Sequence, residues 1–128
     1  MAIDLLIVDD SELFRTMLRR KLESAGCRVV GEAGDAYEGL RLARATQPQL
    51  VTLDILMPLV NGINSKLLFR TIRTELPATA VIVMSTLLKA PEKAEYLAEG
   101  ALDYFQKPYV DFHQLYEKLR RRFPNPGE

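Results

Sequence analysis

Three stretches of this chain are nearly continuously apolar, and each runs directly into polar residues. Ile3–Val8 is broken only by Asp4 and is followed by Asp9 and Asp10; Leu50–Asp54 ends in its own carboxylate; Ala80–Met84 is followed by Ser85 and Thr86. Runs of this length, apolar on both sides of the pleat, predict strands buried on both faces, as in a parallel sheet. Two weaker runs complete the set, Arg28–Gly31 and Leu102–Gln106, the latter leading into Lys107 and Pro108.

Between the strands the period changes from two to that of a helix. Phe14, Met17, Leu18, Leu22 and Ala25 share one helical face after a cap at Asp10 or Ser11, and Gly26 suits a left-handed stop. Asp35 with Glu38 three residues on reads as a capping box, opening a helix through Leu40 and Ala43. Ile63, Leu67, Leu68 and Ile72 predict a third helix that ends before Pro77. Pro91 suits the first turn of a fourth, running to Gly100. The last is the most regular, with Phe112, Leu115, Tyr116, Leu119 and Phe123 on one face, Asp111 as cap and Pro124 as stop. Strands alternating with helices over short linkers predict an α/β domain: a five-stranded parallel sheet, doubly wound, with helices on both faces.

Composition narrows the classes of function. The 128 residues fit one domain, and an apolar fraction of 48% with 27% charged residues is that of a folded globular protein. Seventeen basic residues balance seventeen acidic ones, so bulk attraction to nucleic acid or an anionic membrane is not expected. Nor does any apolar run reach the roughly 18 residues of a membrane span, and a cytoplasmic location is expected. One cysteine and one histidine exclude a thiolate-rich or histidine-rich metal site. Cys27 is expected to act as a small hydrophobe, His113 as a surface residue, and the basic runs Arg19–Lys21 and Arg120–Arg122 as solvated helix faces.

The strand ends carry the chemistry. Open parallel sheets bind ligands beyond the carboxyl ends of their strands, where this chain places Asp9, Asp10, Asp54, Ser85 and Lys107. Three carboxylates in one crevice repel one another until a proton or a cation neutralises them. A hard divalent ion with oxygen ligands does this, and magnesium commonly combines one or two carboxylates with waters and a phosphate oxygen. The Lys107 ammonium and Ser85 hydroxyl remain to hold an anion. Three acids, a base and a hydroxyl describe a magnesium-assisted phosphoryl site.

The ordered motifs VDDS (Val8–Ser11), LDILMP (Leu53–Pro58) with Gly62 after it, MST (Met84–Thr86) and YFQKP (Tyr104–Pro108) resemble the receiver domains of two-component response regulators. The likeness spans about Asp4 to Phe123 and is nearest to the single-domain chemotaxis type. It implies a flavodoxin-like strand order of 2-1-3-4-5 over a domain of residues 1–123, with 124–128 as a tail or the start of a linker. Asp54 would accept a phosphoryl group from a sensor histidine kinase or phosphotransfer protein. Asp9, Asp10, Asp54 and the backbone carbonyl of Leu56 would hold Mg2+, with Mn2+ as a substitute. Lys107, Ser85 and Thr86 would contact the phosphoryl oxygens, and the bond before Pro108 would be cis. Ser85 and Tyr104 would form the switch, altering the surface of the fourth helix, fifth strand and fifth helix for a downstream protein target. Tyr104 also reads as simple packing at a strand end.

This chain departs from the family pattern at the rim of the site. Leu56 and Leu87 stand two residues after Asp54 and Ser85, and Leu59, Val60 and Leu88 add further apolar groups. Such a rim is expected to shield an acyl phosphate from water and lengthen its life. Three alternatives remain: the receiver portion of a larger regulator such as a chemotaxis methylesterase, a magnesium-dependent phosphohydrolase that forms an aspartyl phosphate, and an unphosphorylated interaction module with a vestigial site. Against the hydrolase, Leu56 occupies the position where a second acid would stand.

Overall fold

The computed structural model describes residues 2–86 and 90–124. Five strands, β1 (Ile3–Val8), β2 (Cys27–Ala33), β3 (Leu50–Asp54), β4 (Ala80–Ser85) and β5 (Asp103–Gln106), alternate with α1 (Glu12–Ser24), α2 (Ala36–Thr46), α3 (Ser65–Glu75), α4 (Ala90–Ala98) and α5 (Phe112–Arg122). All strand pairs are parallel, in the order β2-β1-β3-β4-β5. The expected doubly wound architecture is therefore the observed one.

Strand parity sorts the core into two halves. Leu5, Ile7, Leu50, Ile82, Met84 and Phe105 pack with Phe14, Leu18 and Leu22 of α1 and Leu115 and Leu119 of α5. The intervening residues Leu6, Val8, Val51, Leu53, Val83 and Tyr104 pack with α2, with Leu68, Phe69 and Ile72 of α3, and with Tyr96 of α4. Each face thus removes one side of the sheet from water, the dominant favourable term in folding. At the helix starts, the Ser11, Asp35, Asn64 and Asp111 side chains each accept the N–H three residues on.

Several boundaries differ from the sequence reading. β2 is longer than Arg28–Gly31, because it lies along the whole of β1 and takes its pairing from that neighbour. Its register shifts between Leu5 and Leu6, where Gly31 comes into step. α3 starts after Ile63, which instead bridges Val60, and Leu67 faces outward while Phe69 takes the buried position. α4 ends at Ala98, before a left-handed Gly100, and Ala25 is an exposed cap residue. β5 begins at Asp103. Cys27 is buried, its thiol pushed up to about 11 by burial, and His113 is exposed on α5.

Thr52 in the central strand is 2% exposed, and its hydroxyl has no hydrogen-bond partner among the described residues. A buried unpaired hydroxyl costs free energy that a methyl of the same shape does not. Thr52→Val is expected to stabilise the domain by about 1 kcal/mol. The check is a urea titration: a higher midpoint at unchanged slope supports this, and a lower midpoint refutes it.

Candidate functional site

The site lies at the carboxyl edge of the sheet, where β1 and β3 sit side by side and their helices depart in opposite directions. The β1 ladder continues one residue beyond the strand, with the Asp9 N–H donating to the Ala33 carbonyl at 2.9 Å. β5 likewise carries on as the Lys107 N–H donates to the Ser85 carbonyl at 2.7 Å. Period two then places Asp9, Asp54 and Lys107 on the α1/α5 face, and Ser85 with Tyr104 on the other.

Asp9 and Asp54 are held in the same way. One oxygen of each accepts the N–H two residues on, from Ser11 at 2.8 Å and from Leu56 at 2.9 Å. The other oxygen of each faces the Lys107 ammonium, 2.7 Å from Asp9 Oδ2 and 3.4 Å from Asp54 Oδ2. All three side chains are buried, whereas Asp10 is exposed. Ser65, at the start of α3, donates its hydroxyl to the Asp54 carbonyl at 2.8 Å and is itself buried. That anchor was not singled out from the sequence, where a serine after Asn64 signals only a helix start.

One carboxylate oxygen each from Asp9, Asp10 and Asp54 falls within a 4.8 Å cluster. The donors are all oxygens, which suits a hard divalent cation. Burial raises the pKa of Asp54 and the nearby charge of Asp9 adds to the shift, while the Leu56 N–H and Lys107 oppose it. A further positive charge beside these oxygens would favour the ionised form of Asp54.

Around this cluster opens a crevice of about 580 Å³ lined by Asp10, Asp54, Thr86 and Lys107 and by apolar Leu13, Phe14, Met17, Leu56 and Pro108. Leu56 is 44% exposed and lines the crevice, whereas Leu59, 65% exposed, is not among its lining residues. Leu87 and Leu88 lie outside the described residues. The Lys107–Pro108 bond is cis, as the resemblance implied. Ser85 is fully buried and does not line the crevice; its side chain shares a hydrogen bond with the Tyr104 hydroxyl. Tyr104 is 2% exposed and lies against Tyr96 of α4, with ring centroids 6.3 Å apart. Packing and hydrogen bonding thus coincide at this tyrosine.

Comparison with known proteins places the fold in a family. Residues 5–120 match the model of the response regulator receiver domain, and the chain belongs to that family. It is 36% identical over 118 residues to a protein-glutamate methylesterase/protein-glutamine glutaminase of Hahella chejuensis, covering 91% of this chain and 33% of that protein. It is 35% identical to protein CcdB of Bacillus subtilis, covering 83% of this chain and 86% of that one. Among solved structures, the CheX-CheY-BeF3-Mg complex from Borrelia burgdorferi is similar at 26% identity with a TM-score of 0.83, over 96% of this chain and 90% of that one. The chain spans about a third of the methylesterases it matches. Among the described residues no helix is long and apolar enough to cross a membrane.

The raised pKa of Asp54 has a consequence for stability. The folded state binds its proton more tightly than the unfolded chain does, so ionising Asp54 weakens the fold as pH climbs through and above the usual aspartate range. Asp54→Asn is expected to melt higher than the parent at pH 7 in the absence of divalent metal, with the gap closing as pH falls below about 4. Thermal melts across pH check this; a variant that melts lower at pH 7 contradicts it.

Proposed function

We propose that this chain is a phosphorylation switch in which Asp54 accepts a phosphoryl group from a phosphohistidine on a sensor histidine kinase or phosphotransfer protein. The observation that carries the reading is the geometry at Asp54, a buried carboxylate held by a backbone N–H, facing a buried ammonium, in a cluster of three aspartates. A lone pair on an Asp54 oxygen forms the new O–P bond as the N–P bond of the donor breaks, its electrons returning to the imidazole nitrogen. Asp9, Asp10, Asp54 and the Leu56 carbonyl would hold Mg2+, or Mn2+ in its place. That ion supplies positive charge where the carboxylates and the incoming phosphoryl group would otherwise repel.

Lys107 would then turn from Asp9 towards the phosphoryl oxygens, and Thr86, which lines the crevice, would donate to them. Ser85 reaches a phosphoryl oxygen only by giving up its present contact with Tyr104. The two residues therefore act as one switch: turning Ser85 releases the tyrosine hydroxyl, and movement of that ring disturbs Tyr96 and α4. The changed surface is α4–β5–α5, and a downstream protein reads it. Driving such an equilibrium from 1:99 to 99:1 takes about 5.5 kcal/mol of preference for one state. Charge-assisted bonds to a phosphoryl group, formed in one state alone, supply preference of that kind. The methylesterase relatives support an output through an attached enzymatic domain; the Bacillus relative, close to this chain in length, supports a free-standing switch.

Incubation with acetyl phosphate and Mg2+ is expected to add one phosphoryl group by intact mass. Asp54→Asn and a chelator should each abolish the addition. No addition under any condition refutes the switch, and catalytic accumulation of free phosphate favours the hydrolase. Leu56, half-exposed beside Asp54, is proposed to slow hydrolysis of the acyl phosphate by limiting water, and Leu87 to act likewise. Leu56→Asn is expected to shorten the phosphorylated lifetime several-fold, on the order of 1 kcal/mol in the barrier. Timed loss of label checks this, and an unchanged or longer lifetime refutes it.

A further inference from the structure

Lys107 has three N–H donors, and the two carboxylates account for the sides of the ammonium that face Asp9 and Asp54. A third direction is closed by Phe14, whose ring centroid lies 4.4 Å from Nζ, well inside the range at which an aromatic face attracts a cation. Among the described residues three other cations lie over rings: Lys21 and Arg122 are exposed, and Lys66 is 26% exposed. Lys107 is 8% exposed, and so is Phe14, so this contact is the most desolvated of the set and the least screened by water. The ring is placed by the same turn that carries the acids. Ser11 caps α1 by accepting the Phe14 N–H at 3.1 Å, which sets the side chain over the strand ends four residues after Asp10.

We propose that Phe14 is a positioning residue for Lys107, its ring face holding the ammonium beside Asp54 when a divalent cation draws Asp9 away. The inference rests on the proposed function and adds to it a residue outside the motifs. Its physical basis is a difference between the partners of the lysine. A hard cation competes for the Asp9 oxygen that Lys107 now holds, but it has no use for an aromatic ring, because its ligands are oxygens. The ring attraction therefore survives when the Asp9 contact does not, and it keeps the ammonium from following Asp9 or swinging into the open crevice. Core packing alone asks only for an apolar group of this size at position 14; the cation asks for the electron-rich face.

Replacing Phe14 with mono-, di- and trifluorophenylalanine drains the ring face while preserving its shape. With acetyl phosphate and Mg2+, initial labelling of Asp54 is expected to slow stepwise, to about tenfold for the trifluoro ring. Phe14→Tyr should label near the parent rate, and Phe14→Leu about as slowly as the trifluoro variant. A flat series, with Phe14→Leu labelling at the parent rate, overturns the proposal. A second readout is independent of labelling: the Lys107 Hε resonances should be shifted upfield by the ring current, remain so on adding Mg2+, and lose the shift in Phe14→Leu. Unshifted resonances overturn the proposal, as does loss of the shift on adding Mg2+. If the parent protein takes no label, the phosphorylation reading falls, and the resonance measurement still decides whether the ring holds the lysine.

Discussion

The site depends on one ammonium wedged between two buried carboxylates. Asp9 and Asp54 stand at the ends of adjacent central strands, with one oxygen of each within 4.8 Å, and like charges this close repel. Lys107, arriving from the far edge of the sheet, is the cation between them. Each carboxylate is also tethered through its second oxygen to a backbone N–H, so the three groups are fixed by the chain and by one another. Burial still leaves Asp54 harder to ionise than an ordinary aspartate. That residual tension, one positive charge against three negative groups, gives a divalent ion and a phosphoryl anion something to relieve.

The same alternation that builds the core divides labour at the site. Side chains on the α1/α5 face supply the acids and the lysine; those on the other face supply Ser85 and Tyr104, joined by a hydrogen bond and packed against Tyr96 of α4. The proposed chemistry would thus occur on one side of the sheet and its mechanical consequence on the other. Ser85, at the carboxyl end of β4, is the point where the two can communicate. α4 itself is tied to α3 by a lattice in which Lys66 and Arg70 pair with Glu95 and Glu99. These pairs are half-exposed, and such bonds add little to stability and rearrange readily. Tyr96, 3% exposed and edge-on to Phe69 with ring centroids 5.1 Å apart, anchors the same helix in the core.

Much of this was legible along the chain, for a definite reason. Strands buried on both faces must be nearly continuous apolar runs, and a parallel sheet puts its sites where those runs stop, so Ile3–Val8 and Leu50–Asp54 announced both their own limits and the acids beyond them. Caps were equally visible at Asp35 and Asp111, because a short side-chain oxygen must meet the N–H three residues on. β2 was underestimated because its ends are set by pairing with β1 and not by its own composition. In α3, the choice of Phe69 over Leu67 for the core depends on how the helix rolls against β3, which a periodic pattern leaves open.

By itself, then, the sequence determined the fold class, the order of elements and the identities of the acidic, basic and hydroxyl groups, since all of these follow from local periodicity and from which residue ends each strand. Only the tertiary structure decided their mutual geometry. That Lys107 lies nearer Asp9 than Asp54, that Ser65 anchors the Asp54 carbonyl, and that Phe14 faces the ammonium are contacts between segments up to 98 residues apart. No local pattern encodes such contacts, because they arise from strand order and from the packing of α1 over the strand ends.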